Sequence, residues 1–312
     1  MKPSLPARCW RCGCTAALLT LAACAQSATP SPGPLTGSMG GAVDRVLWVF
    51  GGEGPDGYSR EVWSTDLSDL RWERHPDMPD VRSGGTAAWD GEGAFVVVGG
   101  CQTDDCDPVV RFDVEAQSWT PLAGAPGNRL QPGVHFVASK LWLFGGVDPA
   151  SDTPLSDIWS YDAGWTSLGD ALDLPTPGGG KSPVVSGATW AGGTSGAVTV
   201  SGGWMASWAD GVLQSAAQSA SVGESPDCVW VNDDSVFVWS AGVVLECDAL
   251  SSYCAADEPG ARPSVPGTAC ASVDATLWTY GGGVIDDGTV NEELWRYHDA
   301  VWTRTMDGGS VL

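Results

Sequence analysis

Short apolar runs, each stopped by a pair of small residues, recur six times along the 312-residue chain. They are VLWVFGG ending at Gly51-Gly52, AFVVVGG at Gly99-Gly100, KLWLFGG at Gly145-Gly146, AVTVSGG at Gly202-Gly203, VFVWSAG at Ala241-Gly242 and TLWTYGG at Gly281-Gly282. Successive first positions are 48, 46, 57, 39 and 40 residues apart. A repeat of that period, with several short strands per unit, predicts an all-β propeller of four-stranded antiparallel blades, six by count. One four-stranded meander cannot bury its own apolar face, so the units must stack side by side around an axis. Glycines at the end of each second strand allow positive φ and a close approach of neighbouring backbones.

Each unit carries more than its diglycine. An apolar-aromatic strand follows about ten residues on, then an aromatic-Asp step, a Trp and a Pro-rich turn. Unit two reads VVRFDVEAQSWTPLAGAP (Val109 to Pro126), unit three LSDIWSYDAGWTSL (Leu155 to Leu168) and unit six ELWRYHDAVWTRTM (Glu293 to Met306). Unit one offers EVWSTDLSDLRWERHPDMP (Glu61 to Pro79). This order resembles the kelch repeat over roughly residues 36–306. Unit four keeps Gly202-Gly203 but loses the aromatic-Asp…Trp signature, and unit five keeps part of it. The resemblance implies a kelch-type six-bladed propeller. Of 17 Trp, 16 follow Met39, and such side chains fill the wedge between blades while their N–H reaches a backbone acceptor. Trp204 and Trp208, in the irregular GGWMASWADG stretch, stand apart from that pattern. Leu35 to Ala42 supplies an innermost first strand and Val301 to Thr305 an outermost last one. The ring is therefore expected to close by packing blade six on blade one, without a shared strand.

The N-terminus reads as an address. Lys2, Arg8 and Arg11 precede the apolar stretch GCTAALLTLAA, which is too short to span a bilayer and matches a bacterial secretory signal. Leu21-Ala22-Ala23-Cys24 resembles a lipobox. That resemblance implies removal of residues 1–23, lipid attachment at Cys24 and, with no Asp at Ala25 or Gln26, sorting to the outer membrane. Residues 24–35 are expected as a disordered Pro/Ser tether and 36–312 as the propeller. The membrane is then touched only through the lipid anchor.

Without residues 1–23, six cysteines remain besides Cys24, an even number suited to an oxidising compartment. Repeat alignment sets Phe112-Asp113…Trp119 against Cys247-Asp248…Cys254, both flanking residues seven apart and replaced together. Directly opposed residues of a hairpin approach closely enough for a disulfide, which suggests Cys247–Cys254. Cys101 and Cys106 share one loop. Cys228 and Cys270 occupy equivalent positions before second strands and would staple neighbouring blades. A metal site is the alternative, although no CxxC…CxxC spacing is present and His75, His135 and His298 are scattered.

Charge narrows the partners. The chain carries a formal charge of −23; without Lys2, Arg8 and Arg11 it has 38 acidic and 12 basic residues, or −26. This excludes nucleic acid as a partner. Loops after the diglycines are rich in Asp and Glu. A basic residue recurs before the innermost strands at Arg82, Arg129, Lys181 and Arg262. These four are the ligand-binding candidates: Arg forks at a channel mouth would hold a carboxylate or acidic sugar. The competing reading pairs each with a carboxylate or carbonyl of the neighbouring blade. Asp104, Asp105, Asp107, Asp286 and Asp287 would offer oxygen ligands to Ca²⁺, without a fixed calcium-loop spacing. No other cofactor or metal is expected.

No G-x-S-x-G, H-E-x-x-H, P-loop or dinucleotide fingerprint is present. The sequence therefore points first to a binding module for an envelope protein or glycan. A scaffold in an envelope complex comes second. A small-sugar enzyme similar to kelch-type sialic acid mutarotases comes third; it would pair Glu224 with Arg82, Arg129 or Arg262.

Overall fold

A computed structural model describes residues 30–103, 106–137, 139–170, 196–201, 204–209, 212–218, 228–232, 235–240, 243–248, 254–256, 267–283, 288 and 290–305. The first sheet is β1 (Met39–Val43), β2 (Val46–Gly54), β3 (Gly57–Asp66) and β4 (Trp72–His75), hydrogen-bonded in chain order. The second is β5 (Thr86–Trp89), β6 (Ala94–Val98), β7 (Val109–Asp113) and β8 (Ser118–Pro121). The third is β9 (Gly133–Val137), β10 (Lys140–Asp148), β11 (Thr153–Tyr161) and β12 (Trp165–Asp170). Next come β13 (Gly196–Ser201), β14 (Trp204–Ala209) and β15 (Val212–Gln218), a sheet of three. Two sheets of four close the series: β16 (Cys228–Asn232), β17 (Ser235–Ser240), β18 (Val243–Asp248) and β19 (Cys254–Ala256), then β20 (Ala269–Val273), β21 (Thr276–Tyr280), β22 (Leu294–His298) and β23 (Val301–Thr305).

Among the described residues the structure has five four-stranded blades, which corrects the expectation of six. The fourth unit falls short. In sequence its Gly202-Gly203 pair separates β13 from β14, as Gly99-Gly100 separates β6 from β7 and Gly281-Gly282 separates β21 from β22. The segment before β13, where an innermost strand was expected, lies outside the described residues. β13 itself stands beside β9, the position that innermost strands hold at the other junctions. The sheet count thus follows the missing aromatic-Asp…Trp signature and not the diglycine.

Why second strands read as unbroken apolar runs is clear from their two faces. Trp48 and Phe50 of β2 pack with Met39, Val62 and Met78 against Phe95, Val97, Val110 and Phe112 of the second blade. Leu47 and Val49, on the opposite face, pack with Leu35 against Ala269, Trp278, Tyr280 and Leu294 of the last blade. A strand buried on both sides has no polar face to show. The same alternation puts Val96 and Val98 against Val134, Leu141 and Leu143. Trp230 and Trp239 meet Leu277 and Tyr297 in the same way.

The ring closes by contact between β1 and β20, and each strand pairs only within its own sheet. Residues 33–37, the end of the expected tether and the start of the propeller, lace this seam. Leu35 N–H donates to Asn291 O at 3.2 Å, Gly37 N–H to Gly267 O at 2.7 Å and Gly282 N–H to Leu35 O at 2.6 Å. Thr36 Oγ1 donates to Gly283 O at 2.8 Å and Tyr280 OH to Gly33 O at 2.7 Å. Two of the hairpins turn on Asp-Ala pairs in the left-handed region, Asp274 and Ala275 (φ 46 and 61°) and Asp299 and Ala300 (φ 49 and 60°). That geometry matches the right-handed twist of the strands they join, even without glycine.

Candidate functional site: the diglycine face of the ring

The loops after the diglycines and the connections between blades share one face. Gly51 takes φ +56°, and a Cβ there would meet Arg82 O at 2.5 Å. A Cβ on Gly99 would meet Arg129 O at closer range still. The second glycine of each pair then donates to the same carbonyl: Gly52 N–H to Arg82 O at 2.7 Å and Gly100 N–H to Arg129 O at 2.9 Å. At the seam Leu35 O holds this place, since Gly282 donates to it and a Cβ on Gly281 would meet it at 2.5 Å. Arg82, Arg129 and Leu35 therefore occupy one repeated slot.

The two arginine side chains run forward into the next blade. Arg82 is fully buried, at 0% exposure. Its Nη1 donates to Gly99 O at 2.8 Å and reaches Pro108 O at 3.5 Å, and its Nη2 donates to Asp107 O. Asp80 is 4.0 Å away. Burial lowers its pKa to about 10, partly offset by the charges of Asp80 and Asp107. Its Nε has no partner. Arg129, 3% exposed, donates from Nη1 to Gly145 O at 2.9 Å. It also forks onto Asp157, with Oδ1 at 2.9 Å and Oδ2 at 3.2 Å. Both guanidiniums are thus held by protein acceptors that join one blade to the next. Neither is presented as a free fork. Lys181, Arg262 and Glu224 lie outside the described residues, as do Cys24, Asp104, Asp105, Asp286 and Asp287.

The cysteines are brought together as three disulfides. Cys101–Cys106 closes a loop next to Asp107, whose carbonyl is among those that Arg82 reaches. Cys247–Cys254 spans a directly opposed pair of β18 and β19. Cys228–Cys270 joins β16 to β20, the innermost strands of adjacent blades. Among the described residues no group of three His, Cys, Asp or Glu is placed to hold a metal ion. No helix among them is long and apolar enough to cross a membrane.

A third feature escaped the sequence reading. In three blades a carboxylate two residues before a Trp accepts that indole N–H: Glu61 from Trp63 at 2.9 Å, Asp157 from Trp159 at 2.5 Å and Glu293 from Trp295 at 2.9 Å. Each carboxylate also takes an arginine. Arg74 reaches Glu61 at 3.0 Å and Arg304 reaches Glu293 at 2.9 Å, each from the residue paired with the Trp on the fourth strand. Trp159 pairs with Ser167 on β12, which carries no charge, and Asp157 takes Arg129 instead. The signal was present as REVWS, SDIWS and EELWR.

Two hairpins rise beyond the diglycine level. β2 and β3 continue pairing through Glu53↔Tyr58 and Gly54↔Gly57, and β10 and β11 through Val147↔Pro154 and Asp148↔Thr153. Tyr58, near the first tip, is 47% exposed.

No protein-family model matches the chain. An F-box/kelch-repeat protein of Arabidopsis thaliana is 28% identical over 142 residues, covering 43% of this chain and 37% of its own length. A second F-box/kelch-repeat protein of the same plant is 27% identical over 135 residues, covering 41% and 34%. The chain spans about a third of the length of these curated relatives. A solved structure titled "Structure of YjhT" is 13% identical, with a TM-score of 0.46 over 91% of this chain and 88% of that one. The stacked four-stranded sheets and the kelch-repeat similarity define a kelch-type β-propeller. Disulfides staple it both within and between blades.

Proposed function

We propose that this chain is an envelope-anchored kelch propeller that binds a protein or a glycan through its loop face. The observation that carries the reading is the hairpin of β2 and β3. It extends the ladder past the blade and holds Tyr58, half exposed, beside Glu53 at its tip. A large aromatic group with a polar end, held out on a rigid ladder, is suited to contact a partner. The two buried arginines below it keep the blades that carry such hairpins in fixed relation. Anchoring rests on Leu21-Ala22-Ala23-Cys24, with lipid on Cys24 and residues 24–35 as the spacer to an outer-membrane location. The surplus of acidic residues supports a partner other than nucleic acid.

The test is a thermal-shift screen of the oxidised chain from Ala25 onward against acidic sugars, neutral glycans and Ca²⁺. A ligand of the folded state raises the Tm by mass action. The expected result is a rise with one glycan class that is lost in Tyr58→Ser. If no sugar acts, an envelope protein retained by the wild type and not by Tyr58→Ser supports the reading; retention by neither sinks it. Intact-mass analysis of the N-terminal peptide tests the anchor, which requires a diacylglyceryl group on Cys24.

A further inference from the structure

Ser64, His75 and Gln117 form a hydrogen-bonded chain between the first two blades, on the side opposite the diglycine loops. Ser64 Oγ lies 2.8 Å from His75 Nε2, and His75 Nδ1 lies 2.9 Å from Gln117 Oε1. Gln117 Nε2 donates to Val114 O at 2.7 Å, which fixes which end of the carboxamide faces the imidazole. Oε1 accepts only, so Nδ1 carries the hydrogen and Nε2 presents its lone pair to the Ser64 hydroxyl. This is the order of nucleophile, base and orienting acceptor, with a neutral amide in the third role as in Cys-His-Asn hydrolases. Gln117 sits in the turn between β7 and β8 at φ 51°, in the left-handed region, and so projects from the second blade toward the first.

The surroundings suit a flat substrate. The Trp48 ring lies 4.4 Å from His75, and the tilted rings of Phe112 and Trp119 meet at 4.8 Å beside it. His75 and Gln117 are half-buried, whereas Ser64 is 5% exposed, so approach is along the imidazole edge. The third blade carries an internal control. Ser160 faces Trp142 as Ser64 faces Trp48, and it is equally enclosed at 6% exposure. Its partner on the fourth strand is Thr166, as Glu73 is that of Ser64, and the place His75 takes opposite Val62 is held by Gly169 opposite Ile158.

We propose that Ser64 is a base-activated nucleophile that takes the acyl group of small aryl esters. Ser64 Oγ bonds to the ester carbonyl carbon while its proton passes to His75 Nε2. The carbon–oxygen bond to the phenol breaks, and the leaving oxygen takes the proton back from Nε2. Water repeats the sequence on acyl-Ser64 and releases the acid. This inference is independent of the loop-face reading, because the chain of three lies at the turns on the opposite side.

The test is labelling of the full, oxidised chain with a fluorophosphonate, followed by peptide mass spectrometry. Oγ attacks phosphorus, fluoride leaves, and the proton passes to His75. The expected result is an adduct on Ser64 forming at least tenfold faster than on Ser160, and lost in urea. His75→Gln is expected to slow it at least tenfold with the fold retained by circular dichroism. Gln117→Ala is expected to slow it less and to shift its pH profile. Absence of an adduct on Ser64, equal rates at Ser64 and Ser160, or an unchanged rate in folded His75→Gln would each overturn the proposal. Should His75→Gln fail to fold, the Ser64 to Ser160 ratio decides alone.

Discussion

The junctions at Arg82 and Arg129 solve one problem with different chemistry. Both arginines offer their carbonyl to the preceding diglycine and their guanidinium to the next blade. Arg129 meets a carboxylate, Asp157, which the third blade supplies two residues before Trp159. The second blade has Pro108 and Val110 in the places of Asp157 and Trp159, and so no carboxylate to give. Arg82 meets carbonyls instead, two of them at Asp107 and Pro108, next to the Cys101–Cys106 loop. Asp80 and Asp107 offset the cost of burying this charge only in part, and the lowered pKa of Arg82 reflects that. A guanidinium can therefore hold a blade junction with main-chain carbonyls as its hydrogen-bond acceptors, with carboxylates only at longer range. At the seam, where Leu35 takes the slot, backbone hydrogen bonds and apolar contact replace the charge.

The largest effect is expected from breaking the less compensated junction. Arg82→Ala leaves a cavity and buried carbonyls without donors, a loss on the order of 4 kcal/mol in urea unfolding. Combining it with Cys101→Ser and Cys106→Ser is expected to cost less than the sum, because both changes release the same carbonyls.

Next comes the far side of the third blade. Val134 and Phe136 face the second blade, so His135 between them faces the other way, stacked on Phe144 at 5.1 Å. Burial holds its pKa down to about 3. The unfolded chain, with an ordinary histidine, binds the proton first. Stability is therefore unaffected above about pH 6.5 and falls as pH drops from there toward 3, by roughly 3 kcal/mol at pH 4. His135→Phe is expected to flatten that acid limb in melts followed from pH 7 to pH 4.

Arg129→Ala is expected to cost about 2 kcal/mol, less than Arg82→Ala, because Asp157 remains partly solvated and keeps Trp159 as a donor. Equal losses at the two sites would show that carbonyl and carboxylate acceptors are interchangeable here. The smallest effect belongs to Arg74→Ala. Its pairs with Glu61 and Asp77 are half exposed, and the expected loss is below about 1 kcal/mol.

The apolar runs and their glycines made the propeller legible, because a strand buried on both faces must read as VLWVF or AFVVV whatever its neighbours are. The cysteines paired as the repeat alignment suggested, since equivalent positions in equivalent strands fix both distance and direction. The blade count was not legible. The Gly202-Gly203 pair is silent about whether four strands pair around it. The arginine slot was visible as a recurrence, but its partners were not, because Gly99, Asp107 and Pro108 contribute main-chain carbonyls that every residue type possesses. Ser64, His75 and Gln117 were hidden for a similar reason: 42 residues separate His75 from Gln117, and only blade stacking joins them.

The lacing at residues 33–37 sets the order of assembly. Thr36 and Gly283, and likewise Gly33 and Tyr280, meet across 247 residues of sequence. Contacts that close so long a loop carry a high entropic cost and form late. During synthesis this segment emerges ahead of every blade, yet its partners in β21 and the loop after it come almost last. Until then Leu35 has no apolar neighbour from the last blade, and the inner edge of β1 lies open. Residues 33–37 are in this sense the last to become native, and a nascent propeller stays an open arc until the blade of β20 to β23 is released from the ribosome.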